Sequence, residues 1–248
     1  MRIDVMFGPA QITPALVAGR VVAVIDVLRA STTITAALAA GARNVVPLED
    51  ADAVMTRAKQ LARAEVRTAG ERKMMPIPGF DLGNSPREMT HEAVDAKTVL
   101  MTTTNGTATL LAIQGARDVV IASYVNCGAV TALLCAGARG GHDISIVCAG
   151  RDRQFALEDA ACAGRFVRAV SKKIRGVELG DGAFVCTVLD RKYGDRLDQL
   201  FADSEHGQAL TDAGLGEDLV ACSAVDAHPV IPIYQDRQIT LLGPDRQR

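Results

Sequence analysis

The sequence predicts an α/β protein, with residues 1–248 forming one domain of three α/β/α layers around a mostly parallel or mixed sheet. Two observations support this fold class. Short apolar segments alternate with longer segments of helical periodicity, which is typical of helices that cover a parallel sheet. The apolar segments, such as residues 21–25, also lack polar alternation, as expected for strands buried on both faces.

The elements are predicted in alternating order along the chain. Strands are expected at residues 3–7, 21–25, 44–48, 98–101, 118–122, 144–148 and 230–234. Helices are expected at residues 31–40, 51–64, 107–114, 127–138, 156–171 and 195–203. No low-complexity linker interrupts this order, so we expect a single cooperative domain.

The most informative segment follows the second predicted strand. Asp26 ends that strand, and Arg29, Ser31, Thr32 and Thr33 precede the next helix. Loops between a strand's carboxyl end and a helix's amino end commonly hold ligands in α/β proteins. Backbone N–H groups, hydroxyls and a guanidinium favour an oxyanion such as phosphate or sulfonate. A plainer alternative is that Ser31 and Thr32 cap the helix, although this leaves Asp26 and Arg29 without a role.

A second unit repeats this order. Residues 98–120 and residues 21–46 both show a strand, a hydroxyl-rich loop, a helix, a Gly-Ala-Arg turn and another strand, and residues 144–156 give a looser third version. In a parallel sheet all three loops can emerge at one edge, although Gly-Ala-Arg is also a common helix exit. The second loop offers polar donors and a tight turn for an anion at Thr103, Thr104, Asn105, Gly106 and Thr107.

Residues 70–86 are predicted to form a long loop, because prolines and glycines are scattered through them. Long loops within compact domains are usually functional. This loop carries Arg72, Lys73, Asn84 and Ser85, which suit an anionic ligand, and we expect Arg72, Asn84 and Ser85 to bind the substrate.

Two adjacent acids, Glu158 and Asp159, begin the helix after the third strand-loop unit. Acids are favourable in the first turn of any helix, so they need not mark a site. Together with Asp26, however, they would form the oxygen-rich site that Mg²⁺ prefers. We therefore expect Asp26, Glu158 and Asp159 to bind magnesium.

Composition excludes several classes of function. The formal net charge is −2, aromatic residues make up 4% and there is no Trp, so a nucleic-acid partner is not indicated. No signal peptide or membrane-spanning apolar stretch is expected, and we predict a cytoplasmic protein. The six cysteines form no C-x-x-C pair, which leaves a zinc site unsupported. The sequence leaves the assembly state open, a homodimer included.

Several phosphatase chemistries fit poorly. Cys162 and Arg168 have the C-x5-R spacing of cysteine phosphatases, but they lie within a predicted continuous helix. Asp26 is not part of an aspartate-x-aspartate motif, and His206 has no arginine immediately before it. Attack by water assisted by Mg²⁺ remains, with the metal and Arg29 clamping the phosphoryl oxygens.

Motifs spread over nearly the whole chain resemble the 2-phosphosulfolactate phosphatase family. They lie, in order, at residues 26–33, 70–72, 79–86, 102–107 and 156–164. The resemblance implies a single α/β fold and a Mg²⁺-dependent phosphatase. Its substrate would be 2-phospho-3-sulfolactate and its product 3-sulfolactate, a step of coenzyme M biosynthesis. The catalytic residues would then be Asp26, Arg29, Glu158 and Asp159.

One local departure concerns residues 73–75, Lys-Met-Met, where the family leads us to expect a smaller, often glycine-containing turn. Two alternatives therefore stay open. The first is a phosphatase for another small phosphorylated hydroxy acid, and the second is a non-catalytic protein that binds a small anionic metabolite. A phosphotransferase is disfavoured, because the sequence has no glycine-rich P-loop for a nucleotide.

Overall fold

The computed structural model describes residues 1–152 and 154–243, and its strands form one 11-stranded mixed sheet. The strands in chain order are β1 Arg2–Met6, β2 Val21–Ile25, β3 Asn44–Pro47, β4 Val66–Arg72, β5 Met75–Pro76, β6 Thr98–Thr102, β7 Asp118–Ala122, β8 Ile144–Cys148, β9 Glu178–Leu179, β10 Pro232–Gln235 and β11 Gln238–Leu241. Across the sheet their order is β5-β4-β6-β3-β11-β10-β7-β2-β8-β1-β9.

Helices and strands alternate along most of the chain, and four helices follow one another between residues 181 and 223. The helices are α1 Pro14–Val17, α2 Ala30–Ala39, α3 Ala51–Ala58, α4 His91–Val94, α5 Gly106–Ala112, α6 Cys127–Arg139, α7 Leu157–Lys173, α8 Asp181–Tyr193, α9 Leu197–Asp203, α10 Glu205–Asp212 and α11 Gly216–Ser223. Among the described residues, no helix is both long and apolar enough to cross a membrane.

The sheet consists of two parallel blocks joined by a hairpin. Strands β4, β6 and β3 are mutually parallel, as are β7, β2, β8, β1 and β9. Strand β11 is antiparallel to β3, and β10 is antiparallel to both β11 and β7. The two blocks therefore run in opposite senses. The predicted α/β fold with a mixed sheet is confirmed.

Two apolar cores lie on opposite faces of the sheet, because successive side chains of a strand point to opposite sides. In β2, Val22 and Val24 pack into the core that contains Ile34 and Leu38 of α2. The alternate residues of β2 pack into the core formed with α6, α7 and α8. This arrangement agrees with the predicted three layers, and one continuous sheet makes the described residues a single α/β domain. Residues 244–248 of that prediction lie outside the described part of the chain.

Each strand predicted from apolar runs is present, with ends shifted by at most a few residues. The prediction of a loop over residues 70–86 is wrong at its start, because β4 continues to Arg72 and forms a hairpin with β5. The sequence does not predict strand β4, because this segment contains polar residues and Gly70. That glycine is needed there, since a Cβ atom at Gly70 would lie 2.2 Å from the Thr102 carbonyl oxygen.

The helix predicted at residues 51–64 ends early, at Ala58, because Ala62 is extended and a separate 3-10 turn follows at Arg63–Glu65. The sequence did not predict α8, α10 and α11. The last two of these helices prove important, because α10 brings a side chain to the cavity described below and α11 holds a residue that lines it.

Candidate active site

A cavity of about 170 Å³ lies where the loops after β2, β6 and β8 meet the β4–β5 hairpin and the start of α10. It is lined by Asp26, Leu28, Arg29, Glu71, Lys73, Met74, Asn84, Thr103, Thr104, Asn105, Arg151, Asp152 and His206. The predicted convergence of the three strand-end loops is confirmed. Its stated reason is wrong for the β6 loop, because β6 belongs to the block of opposite sense.

Gly106 permits that meeting of the β2 and β6 loops. A Cβ atom built on Gly106 would lie 2.9 Å from Asp26 Oδ2 and 2.8 Å from the Ala30 Cβ, so a larger residue would force the loops apart. The neighbouring Thr107 hydroxyl accepts a hydrogen bond from the Thr103 backbone N–H at 3.1 Å. Gly106 and Thr107 thus shape the loop, whereas Thr103 and its two successors face the cavity.

The hydroxyls after Asp26 point into the protein. Ser31 Oγ accepts from the Asp26 N–H at 2.9 Å and donates to the Val24 carbonyl. Thr32 Oγ1 donates to the Val27 carbonyl at 2.9 Å, and Thr33 Oγ1 donates to the Asn84 carbonyl at 2.9 Å. None of the three lines the cavity. This corrects the expectation that they contact the ligand: they fix the loop that presents Asp26.

Arg29 is held in place by a helix from the other end of the chain. Its Nη1 lies 2.6 Å from Asp218 Oδ2 of α11, its Nη2 donates to the Met74 carbonyl at 2.7 Å, and both charged side chains are 3% exposed. Ser85 Oγ donates to the other Asp218 oxygen at 2.5 Å, and Ser85 does not line the cavity. These contacts fix the Arg29 guanidinium and partly neutralise its charge. Ser85 contributes by holding Asp218, the partner of Arg29.

In two buried acids near the cavity, both carboxylate oxygens accept hydrogen bonds from backbone N–H groups. Asp159 accepts from Val27 at 2.8 Å and from Gly150 at 3.0 Å, which ties the β2 and β8 loops together. Burial and the charges of Glu158 and Asp26 raise the pKa of Asp159 well above its usual value. Glu71 accepts from Thr104 at 2.8 Å and from Met74 at 2.9 Å. Both acids act as ties between loops.

Glu158 pairs with a histidine that the sequence did not suggest. His206 Nδ1 lies 3.3 Å from Glu158 Oε1, and the two side chains are 12% and 2% exposed. His206 also lines the cavity. Because 48 positions separate the two residues, only the folded chain reveals the pair.

Asp26 lines the cavity and has an oxygen that is free of hydrogen bonds from the described residues. Its Oδ1 accepts from the Ala30 N–H at 3.2 Å, and no hydrogen bond from a described residue occupies its Oδ2. Burial raises its pKa to about 6, with smaller increases from the charges of Glu71 and Glu158, while His206 and the Ala30 N–H oppose the rise. The ionised carboxylate is therefore costly to this fold.

The hairpin places Lys73, not Arg72, at the cavity. Arg72 donates to Thr102 Oγ1 at 3.0 Å and to the Glu71 carbonyl at 2.9 Å, and it does not line the cavity. Lys73 lines the cavity at a turn where it and Met74 have φ of +50° and +70°. The turn is clamped by the Glu71 and Arg29 contacts to Met74. This geometry corrects the assignment of Arg72 to the ligand.

Asn84 lies at the cavity as predicted. It is buried, and its side-chain oxygen has no hydrogen-bond partner among the described residues. Buried polar atoms are nearly always satisfied, so an unsatisfied one beside a cavity indicates a missing ligand or water.

Comparison with known proteins shows the family of the chain. A family model described as 2-phosphosulpholactate phosphatase matches residues 6–237. The chain belongs to this family. A probable 2-phosphosulfolactate phosphatase of Symbiobacterium thermophilum is 41% identical over 225 residues, 91% of this chain and 95% of that protein. A protein of the same name from Clostridium botulinum is 33% identical over 98% of this chain and 100% of its own length. Another from Synechococcus is 39% identical over 90% of this chain and 92% of its own length.

Membership of the 2-phosphosulfolactate phosphatase family makes the chain a hydrolase and confirms the resemblance seen in its motifs. A magnesium centre of three acids is not assembled, since the described residues contain no group of three His, Cys, Asp or Glu side chains that could hold a metal ion. Mg²⁺ usually keeps several waters and binds proteins through one or two carboxylates together with substrate phosphate. Asp26, buried and with an uncommitted oxygen, fits that smaller role.

Proposed function

We propose that this chain is a Mg²⁺-dependent phosphomonoester hydrolase that converts 2-phospho-3-sulfolactate to 3-sulfolactate and phosphate, as in coenzyme M biosynthesis. The observation that carries the proposal is Asp26, a buried carboxylate with an uncommitted oxygen, in a cavity otherwise rich in basic groups. A carboxylate there opposes the binding of an anion unless a cation joins the two. The relatives are named as probable 2-phosphosulfolactate phosphatases, and this supports the choice of substrate.

The charges of the cavity suit a substrate with several anionic groups. Arg29, Lys73, Arg151 and His206 line it, and the Asn84 amide adds an unsatisfied polar group. Phosphosulfolactate carries a phosphate, a sulfonate and a carboxylate. These three groups need donors on more than one wall, and the β2 loop, the β4–β5 hairpin, the β8 loop and α10 provide them.

Each wall has a separate task in this mechanism. When bound, Mg²⁺ would be held by Asp26 and would neutralise charge on the phosphoryl oxygens. Arg29 orients the phosphoryl group, because its contacts with Asp218 and Met74 fix the guanidinium before substrate arrives. Lys73 holds a non-reacting acid group, and the hydroxyls of Thr103 and Thr104 offer further hydrogen bonds. Water then attacks phosphorus and the bond to the substrate's C2 oxygen breaks.

One observation favours a second candidate, a phosphatase for another small phosphorylated hydroxy acid. Lys73 projects from the turn where the family resemblance led us to expect a smaller segment, and it lines the cavity. That change alters the wall assigned to the non-reacting group rather than the wall assigned to phosphate. A substrate with a carboxylate but no sulfonate is the natural competitor.

Phosphate release from 2-phosphosulfolactate, 2-phospholactate and p-nitrophenyl phosphate tests these assignments, each with Mg²⁺ and with EDTA. We expect the highest kcat/KM on 2-phosphosulfolactate, loss of turnover with EDTA and recovery with added Mg²⁺. Preference for 2-phospholactate would support the second candidate. Turnover indifferent to EDTA would refute the metal, and tight binding without turnover would favour a non-catalytic binder. The cytoplasmic location and a homodimer stay predictions.

A further inference from the structure

The mechanism above gives the His206–Glu158 pair no part in breaking the bond to phosphorus. His206 belongs to the first turn of α10, whose start is fixed because Ser204 Oγ accepts from the Gly207 N–H at 3.0 Å and donates to the Phe201 carbonyl at 3.2 Å. Glu158 belongs to the first turn of α7 and is 2% exposed. Two anchored helices therefore meet through this pair at the wall of the cavity.

The orientation of the imidazole defines which nitrogen is available. Nδ1 lies 3.3 Å from Glu158 Oε1, so the carboxylate faces this ring nitrogen. The ring's other nitrogen, Nε2, takes no part in that contact. A carboxylate that holds one ring nitrogen fixes the tautomer and direction of the other, as in the triads of hydrolases. Glu158 is thus a positioning residue for His206 rather than a ligand of the metal.

The leaving group creates a need for a proton donor. In a phosphorylated 2-hydroxy acid the departing oxygen is an aliphatic alkoxide, which is a poor leaving group unless it is protonated. General acid catalysis by a positioned side chain typically contributes about 10²–10⁴-fold to the rate. Arg29 cannot serve, since a guanidinium does not release its proton in proteins. Histidine both gives and regains a proton near neutral pH.

We propose that His206 donates the proton from Nε2 to the leaving C2 oxygen of the substrate, with Glu158 as the residue that positions it; this rests on the proposed phosphomonoester hydrolysis. Water oxygen forms a bond to phosphorus, and the bond between phosphorus and the C2 oxygen breaks with its electron pair moving to that oxygen. The proton from His206 completes the hydroxyl of the product. One hydrogen of the water stays on hydrogen phosphate, and the other returns to His206 through solvent, so protons balance.

Leaving-group dependence tests this role without relying on pH. The variant H206Q is assayed on 2-phosphosulfolactate and 2-phospholactate, whose leaving groups need a proton, and on p-nitrophenyl phosphate, whose leaving group does not. We expect kcat/KM to fall roughly 10²–10⁴-fold on the first two and to stay within about threefold on the third. The variant E158Q should show the same pattern with a smaller loss. Glu205, exposed and adjacent to His206, provides the matched control E205Q, which should change neither.

The outcomes separate this role from the alternatives. Equal losses on alkyl and nitrophenyl substrates would overturn it and make His206 a phosphate ligand or a structural residue, and unchanged kinetics would overturn it as well. Thermal melts show whether H206Q is folded, and E158Q supplies the second variant if it is not. A wild-type protein that hydrolyses 2-phospholactate but not 2-phosphosulfolactate would refute the proposed substrate while leaving the His206 comparison intact. Absence of all hydrolysis by the wild type would overturn both proposals.

Discussion

Replacing Asp26 with Asn is expected to stabilise the folded protein while abolishing turnover. The carboxylate is buried and ionises at a cost, because burial raises its pKa from 3.8 to about 6. Asn has the same shape and keeps an oxygen to accept from the Ala30 N–H, so the capping contact survives. What the substitution removes is the charge, and with it the proposed attachment of the metal.

The magnitude follows from the pKa difference. A rise of roughly two pKa units corresponds to about 3 kcal/mol between the two protonation states. The folded state binds this proton more tightly than the unfolded state does. The stabilising contribution of the protonated group is therefore fully present below the unfolded pKa of 3.8 and is lost as pH rises through about 6. At pH 8 the free-energy cost of ionised Asp26 is fully present in the folded wild-type protein, whereas at pH 4 little of it is present.

Thermal melts in EDTA at pH 8 and pH 4 measure this effect. For a chain of this size a change of 1 kcal/mol shifts Tm by about 2–4 °C, so D26N should melt roughly 6–12 °C higher than the wild type at pH 8. The gain should nearly disappear at pH 4. The exposed Asp212 gives the control D212N, which should shift Tm little at either pH. A D26N protein that melts at or below the wild-type temperature at pH 8 would refute the reasoning, as would a gain that persists at pH 4.

Three further predictions concern the neighbours of the cavity. R29K should lose nearly as much kcat/KM as R29A, because an ammonium cannot reproduce the fork that contacts Asp218 and Met74 together, and near-normal activity of R29K would contradict this. D218N should lower the free energy of unfolding by about 3 kcal/mol in a denaturant titration, since it leaves Arg29 buried without a counter-charge, and an unchanged midpoint would disprove it. K73Q should lower kcat/KM on 2-phosphosulfolactate about tenfold or more and leave kcat/KM on p-nitrophenyl phosphate unchanged. R72Q should leave both values unchanged. The reverse result would show that Arg72, and not Lys73, contacts the ligand.

The sequence predicts the centre of the fold well, because the signal there is local. Strand β2 is a run of apolar residues buried on both faces, and Asp26 follows directly at its end. The same logic finds β8 and the acids after it. It fails for β4, whose polar residues line up along β6 only once the sheet has formed. It finds β10 but not its partner β11, and no local pattern specifies that this hairpin lies between the two parallel blocks.

The direction of a side chain is a second limit of the sequence. A run of three hydroxyls looks like an anion site, but hydroxyls satisfy a buried loop equally well, and Ser31, Thr32 and Thr33 do so here. In the same way, Arg72 and Lys73 are adjacent cations on a hairpin, and alternation along the strand and turn decides which of them faces the cavity. Residue type predicts the chemistry of a site better than it predicts the members of that site.

Long-range pairs are the third limit, and they change how the site must be understood. Asp218 lies 189 positions from Arg29 and Glu158 lies 48 from His206, so neither pair leaves a pattern in the sequence. The first pair joins the loop after β2 to α11, and the second joins the first turn of α7 to α10. Each pair supplies a counter-charge to a buried charged group. Burying that group without its partner would cost several kcal/mol. Asp26 lines the cavity, is buried and has an oxygen that takes no hydrogen bond from the described residues, and that makes it a place where a cation and a phosphate would contribute strongly.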